Sequence, residues 1–231
     1  MAAAQGLAYD PAGPLWQESR WIDGRPANGV LSETRFWTRN ATNLSEKHRG
    51  RAEIIADLFL CDDIGGRLIE PFDPVHLDPG AETAGVSEEP ACLGCHTTLE
   101  PLASAMWGWP FGLRGDEIVA ATDAGCTGAL AQFCYPVSIY TPGAETGWIE
   151  YGMPAPAFYG TPLETPNDLG AAIAADPRAP TCAARRAAAH FWHMRPEDVD
   201  GALVTGLAED FVNQGLSYRS LIRSIVSRVA C

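Results

Sequence analysis

The stretch Cys92-Leu93-Gly94-Cys95-His96 constrains this chain more than any other. Two thiols separated by two residues can form thioethers to the two vinyl groups on one edge of a porphyrin. A histidine directly after the second thiol can then supply an axial nitrogen to iron. Gly94 leaves the turn without a side chain where backbone would meet the macrocycle. The motif predicts one covalently attached haem c, held at Cys92, Cys95 and His96.

Two other uses of paired cysteines fit less well. A thioredoxin-like pair wants a strand before it and a long helix after it. Here Ser87-Glu88-Glu89-Pro90-Ala91 precedes the motif, and it does not read as a strand. A zinc site wants a second ligand pair at matching spacing. Cys126 and Cys134 are the nearest later cysteines and have no adjacent histidine.

A haem iron with a proximal His96 needs a decision about its other face. Met153, in Gly152-Met153-Pro154-Ala155, is the favoured second axial ligand, because a thioether fills the coordination sphere and suits electron transfer. Met106, His76, His190, His193 and Met194 are the other candidates, with Met106 expected to pack against the porphyrin edge. Haem also needs an apolar wall to exclude water. Trp107 and Trp109 are expected to supply it, with Phe111, Trp148 and Phe158 clustering with them around the motif and the Met153 loop.

Charge and cysteine usage bound the setting. The net charge of −13 repels phosphate backbones and no Lys/Arg stripe is visible, so nucleic acid is excluded as a partner class. The same acidity steers basic partners at long range. No run of 18 or more apolar residues exists, which predicts no transmembrane helix. Of the seven cysteines, two are assigned to haem, and the other five allow two disulfides and one thiol. That pattern suits an oxidising compartment, so the chain reads as exported, periplasmic or extracellular. Met1–Gly6 is too short for a signal peptide and reads as a remnant of processing or an added start. Cys126–Cys134 is the expected short-loop disulfide, and Cys182 is left to pair with either Cys61 or Cys231.

The pattern along the chain predicts an extended N-terminal strap over residues 1–44, with strand-like pieces such as Thr34–Thr38, and a haem c domain over 45–231. The first helix is expected after Leu44, capped by Ser45, with Ala52, Ile55, Leu58 and Phe59 as its apolar stripe and an end near Cys61. Residues 62–90 read as a linker, and Glu100–Met106 as a short helix after the motif. Residues 110–160, dense in Gly and Pro, read as a loop-rich insertion with short strands. Four helices follow. Thr165-Pro166 opens Asn167–Ala175, the second runs from about Pro180 to Met194, and Pro196 opens a third that stops at Gly215. Ser217 caps the fourth, whose apolar face is Leu221, Ile222, Ile225, Val226 and Val229.

With these residues in place, the chain resembles the haem-c domains at the C-terminal end of large exported planctomycete and myxobacterial proteins. Three stretches carry the likeness. The first is Gly29-Val30-Leu31 with His48-Arg49-Gly50-Arg51 and a helix closing on Leu58-Phe59-Leu60-Cys61. The second is the haem motif followed by Glu100-Pro101, where the family has Asp-Pro. The third runs from Asp168-Leu169 through Asp176-Pro177-Arg178 and Cys182 to Pro196–Asp200 and Leu221–Val229. The chain departs from the family in Leu102-Ala103-Ser104-Ala105-Met106-Trp107 and in the Cys126–Cys134 segment, which reads as an insertion. The resemblance implies an exported haem protein of largely unproven role.

The combined expectation is a mainly α fold, a cytochrome c-like haem domain with irregular loops and a C-terminal group of helices. Its expected function is one-electron transfer with iron cycling between Fe(III) and Fe(II), toward a redox protein partner. Two rival readings are a five-coordinate peroxidase-like or oxidase-like enzyme using His193 and Arg195, and a haem-bearing docking subunit of a larger redox assembly.

Overall fold

The computed structural model describes residues 23–67, 90–112 and 139–229. The described residues are mainly helical. Those in 23–52, 90–112 and 139–170 form one compact unit, and those in 53–67 and 171–229 form a second.

The first unit begins with a buried ion pair. The Asp23 carboxylate accepts from Arg25, with Nε at 2.8 Å and Nη2 at 2.6 Å the shortest contacts, and from the backbone amides of Ile139 and Tyr140. A 3-10 turn over Gly29–Ser32 leads into helix α1, Thr34–Arg39. The strand expected at Thr34–Thr38 is therefore a helix. Thr34 and Trp37 are the buried residues there, and their spacing of three is helical rather than alternating. Trp37 donates from its indole to Leu31 O and stacks on Trp109 with ring centroids 4.1 Å apart.

Helix α2 spans Arg49–Leu60, starting later than the Ser45 cap predicts. Lys47 and His48 hold left-handed backbone, with φ of 49° and 64°, which no helix start tolerates. Asn43 rather than Ser45 organises the preceding turn, its Oδ1 accepting from the Glu46 amide. The buried positions of α2 are Arg51, Ala52, Ile55, Ala56 and Leu60, whereas Leu58 is exposed. The stripe expected through Leu58 is thus rotated toward the alanines.

Helix α3, Pro90–Ser104, carries the cysteine motif within it. It begins ten residues before the helix expected at Glu100 and ends two before Met106. Leu99, Leu102 and Ala103 form its buried face. Turns then carry the chain through Gly108, where a β-carbon would meet the Tyr140 ring at 2.5 Å. Residues 139–163 fold as 3-10 turns, Pro142–Ala144 and Gly147–Ile149, and one hairpin. Strands β1, Ala157–Phe158, and β2, Thr161–Pro162, pair antiparallel across Tyr159-Gly160, both at positive φ as a tight primed turn requires. Residues 113–138 of the expected loop-rich insertion lie outside the described residues. Strand β1 packs against α3.

The second unit is built from the end of α2 and four helices: α4 (Asp168–Ala175), α5 (Arg178–Trp192), α6 (Gly201–Asn213) and α7 (Tyr218–Val229). Ala184, Ala188 and Ala189 give α5 a small-residue face against which Val204, Leu207, Phe211, Leu221 and Ile225 pack. Pro196 opens only a 3-10 turn, Pro196–Asp198, and α6 starts later because Asp200 caps it by accepting from the Leu203 amide. Gly215, at φ 67°, stops it as expected. Among the described residues of α7, Leu221 and Ile225 are buried, while Ile222 and Val226 are exposed. Cys182 is joined to Cys61 in a disulfide with Cα atoms 5.3 Å apart, which resolves the pairing left open by the sequence. Cys126, Cys134, Cys231 and His76 lie outside the described residues. Among those described, no helix is long and apolar enough to cross a membrane.

Candidate functional site

Placing the motif inside α3 fixes its geometry. Residues i, i+3 and i+4 of a helix share one face, so Cys92, Cys95 and His96 project together. All three are half-buried.

One turn after His96, Glu100 completes the same row. His96 Nδ1 lies 2.9 Å from Glu100 Oε1, and Arg49 Nε donates to the same oxygen at 2.7 Å. Burial pushes the Glu100 carboxyl up. The hydrogen bonds from His96 and Arg49, with the Arg49 charge, outweigh it and hold the group below its ordinary range. Glu100 is then a carboxylate that can only accept, so the shared proton sits on His96 Nδ1. In a neutral imidazole this leaves the lone pair on Nε2, the tautomer and orientation that a metal-ligating histidine takes when a carboxylate holds its other nitrogen.

His96 and Leu93 form one side of a cavity of about 490 Å3, to which Met153, Tyr151, Lys47 and Arg49 also contribute. This volume lies within the usual range of small-molecule sites. Met153 reaches it from the loop that follows the Gly147–Ile149 turn. Its amide donates to Trp148 O at 3.1 Å, and Gly152, at φ 63°, reverses the chain just before it. Met153 is 6% exposed. Proximal and distal ligand candidates, far apart in sequence, thus line one cavity.

The other predicted residues fall elsewhere. Trp107 is buried beside Phe111 and 5.5 Å from the Tyr151 ring, so it backs the cavity wall from behind Tyr151. Gly147 lies directly against its indole. Trp109 stacks on Trp37, meets Tyr140 edge-on and is core, not cavity lining. Met106 is fully buried and does not line the cavity. His190, His193 and Met194 belong to the second unit and are exposed, His193 closing α5 in left-handed conformation. Arg195 is paired on the surface with Asp198 and Glu197.

Sequence reasoning gave no role to His48. Its ring is fully buried, stacked on Phe111 and edge-on to Trp107. Arg51 Nη1 lies 3.0 Å from His48 Nδ1, and a guanidinium can only donate, so the His48 proton is on Nε2. Burial first, and the Arg51 charge second, push its pKa down to about 3. A neutral imidazole with its proton on Nε2 and Nδ1 taken by Arg51 has no nitrogen to offer a metal. Its only sequence signal was the His48-Arg49-Gly50-Arg51 run.

The donor set has the chemistry that haem c requires: two thiols and an imidazole on one helical face, and a thioether on the imidazole's cavity. A zinc centre would need further donors at the cysteines. Among the described residues, no group of three or more His, Cys, Asp or Glu side chains is arranged to hold a metal ion. Comparison of the chain with protein-family models, with curated proteins and with solved structures finds no match.

Proposed function

We propose that this chain is an exported mono-haem c-type cytochrome that carries single electrons, in which Cys92 and Cys95 would attach the haem and His96 and Met153 would ligate its iron. The observation that carries the reading is that His96, its Nδ1 engaged by Glu100, lines one cavity with the buried Met153. When bound, the haem iron supplies the one-electron Fe(III)/Fe(II) couple.

The protein's own part is to set that couple and keep it dry. Glu100 draws the Nδ1 proton of His96 and makes the imidazole a stronger donor, while Arg49 fixes the carboxylate in place. Met153 offers a soft thioether, which favours the reduced state. Leu93, Pro101, Tyr151 and Pro154 supply the apolar part of the cavity wall. A single redox centre needs a partner for each transfer, and a chain of net charge −13 steers basic redox proteins toward it. Export is supported by the Cys61–Cys182 disulfide, which persists best in an oxidising compartment.

The experiment is an intact-mass measurement on the full chain matured in a periplasm with haem-attachment machinery. Wild type is expected to gain the mass of one haem and to retain it under denaturation. Cys92→Ser with Cys95→Ser is expected to lose it. A wild-type chain without added mass contradicts the reading.

A further inference from the structure

The second unit carries a concave apolar surface of its own. A groove of about 540 Å3 runs along α5, lined there by Ala179, Ala183, Ala187 and Phe191, which recur every four residues and so share one helix face. At 1.5 Å per residue this row spans roughly 18 Å. Alanine at three of its four positions leaves room along the row, and Leu58 of α2 and Ile222 of α7 line the same groove. Leu58, Phe191, Leu216, Tyr218 and Ile222 all belong to the lining and are all exposed, from 37% to 59%. Exposed apolar side chains gathered on one concavity mark an interaction site, and the volume lies within the range of small-molecule sites.

The charges on the groove point to the polar end of its occupant. Its ionisable groups are Arg186, His190 and the Tyr218 phenol, with no carboxylate among the lining residues, although the chain has 29 acidic residues against 16 basic ones. Arg186 Nη2 donates to Asp57 O at 2.8 Å and to Asp57 Oδ1 at 2.7 Å. Arg186 Nε is buried and has no acceptor, and a buried donor left unbonded is costly. The side chain as a whole is 33% exposed, so the guanidinium stays within reach of a ligand in the groove. We propose that this groove binds a free fatty acid, with its alkyl chain over the apolar row of α5 and its carboxylate on Arg186. A carboxylate takes charge-assisted bonds from a guanidinium, and an unbranched chain matches an elongated apolar floor. The lining comes from the second unit alone, so the site is independent of haem at Cys92, Cys95 and His96.

The test is isothermal titration calorimetry on the full-length, delipidated protein with octanoate, decanoate and laurate, and with decanol and decyltrimethylammonium as controls. Wild type is expected to bind one acid per chain, about fourfold more tightly for each added methylene. Decyltrimethylammonium, with the same chain and the opposite charge, is expected to bind at least about tenfold more weakly than decanoate. Arg186→Gln should weaken decanoate about tenfold and leave decanol unchanged, a split that a merely structural loss does not produce. Ala187→Trp fills the floor and should weaken decanoate and decanol alike, with its unfolding temperature read beside wild type. If that variant does not fold, Arg186→Gln decides alone. Three results overturn the proposal: no saturable decanoate binding to wild type, equal affinity for decanoate and decyltrimethylammonium, or decanoate binding unchanged in Arg186→Gln.

Discussion

His96 and Glu100 stand one turn apart on α3, with Nδ1 of the imidazole 2.9 Å from the carboxylate oxygen that Arg49 also holds. This pair ties the identity of a histidine nitrogen to a named acid. A carboxylate partner makes the imidazole more electron-rich and favours ferric over ferrous iron.

Glu100→Gln removes that charge while keeping an acceptor of similar shape. The expected result is a higher midpoint potential in the haem-loaded protein, with about 60 mV for each tenfold change in the one-electron equilibrium. Spectroelectrochemistry measures it. A potential equal to or below wild type contradicts the role given to Glu100.

His48 predicts an acid sensitivity with a definite window. Its folded pKa, lowered to about 3, lies below the ordinary 6.5, so the unfolded chain binds a proton that the folded chain refuses. The stability associated with it is complete above pH 6.5 and falls as pH drops toward 3, by at most about 1.4 kcal/mol per pH unit. Urea unfolding at several pH values should show this slope between pH 6.5 and 4.5. His48→Gln, which keeps an acceptor for Arg51, should flatten it, and an equal slope in the variant rules the assignment out.

The buried pair Asp23–Arg25 gives a second stability test. Burial raises the Asp23 carboxyl, but the bonds from Arg25, Ile139 and Tyr140 outweigh this and hold it below 3.8. Its stability is therefore present above pH 3.8 and lost as pH falls through the depressed value. At neutral pH Asp23→Ala leaves Arg25 buried without its partner, and a loss of about 3–5 kcal/mol is expected by denaturant unfolding. A change under about 1 kcal/mol contradicts the pair's structural role.

Parts of this arrangement were legible in the sequence because a local rule dictated them. Cys92, Cys95 and His96 share one helical face as their spacing of three and four dictates, and Gly215 stops α6 by its conformation. Met153 could be nominated from the sequence, but its meeting with His96 depends on the turn at Gly147–Ile149 and the reversal at Gly152. Thr34–Arg39 misled because β-branched and aromatic residues favour strands until tertiary burial of Trp37 decides otherwise. Trp109 was nominated for the cavity wall because it is aromatic and near the motif, and stacking on Trp37 takes it into the core instead. The Ser45 cap failed for a backbone reason, since left-handed Lys47 and His48 cannot be read from residue type. The bond from Arg49 to Glu100 joins the α2 entry to α3, which no spacing rule encodes.

The Cys61–Cys182 bond closes a loop with a sequence separation of 121. Constraining so long a loop in the unfolded chain is expected to contribute about 3–5 kcal/mol. Unfolding of wild type with and without reductant, beside Cys61→Ala with Cys182→Ala, measures it. Reduction should lower the stability of wild type and leave the double variant less affected. Equal losses in both place the effect at other cysteines.

The most direct measurement is the optical spectrum of the haem-loaded chain, oxidised and then reduced, for wild type and Met153→Ala. The account predicts a low-spin spectrum in both redox states of wild type, with the weak red band of thioether-ligated ferric haem, and loss of that band in Met153→Ala. A high-spin wild-type spectrum that shifts on adding cyanide, or a red band unchanged by Met153→Ala, would contradict His96 and Met153 as the axial pair.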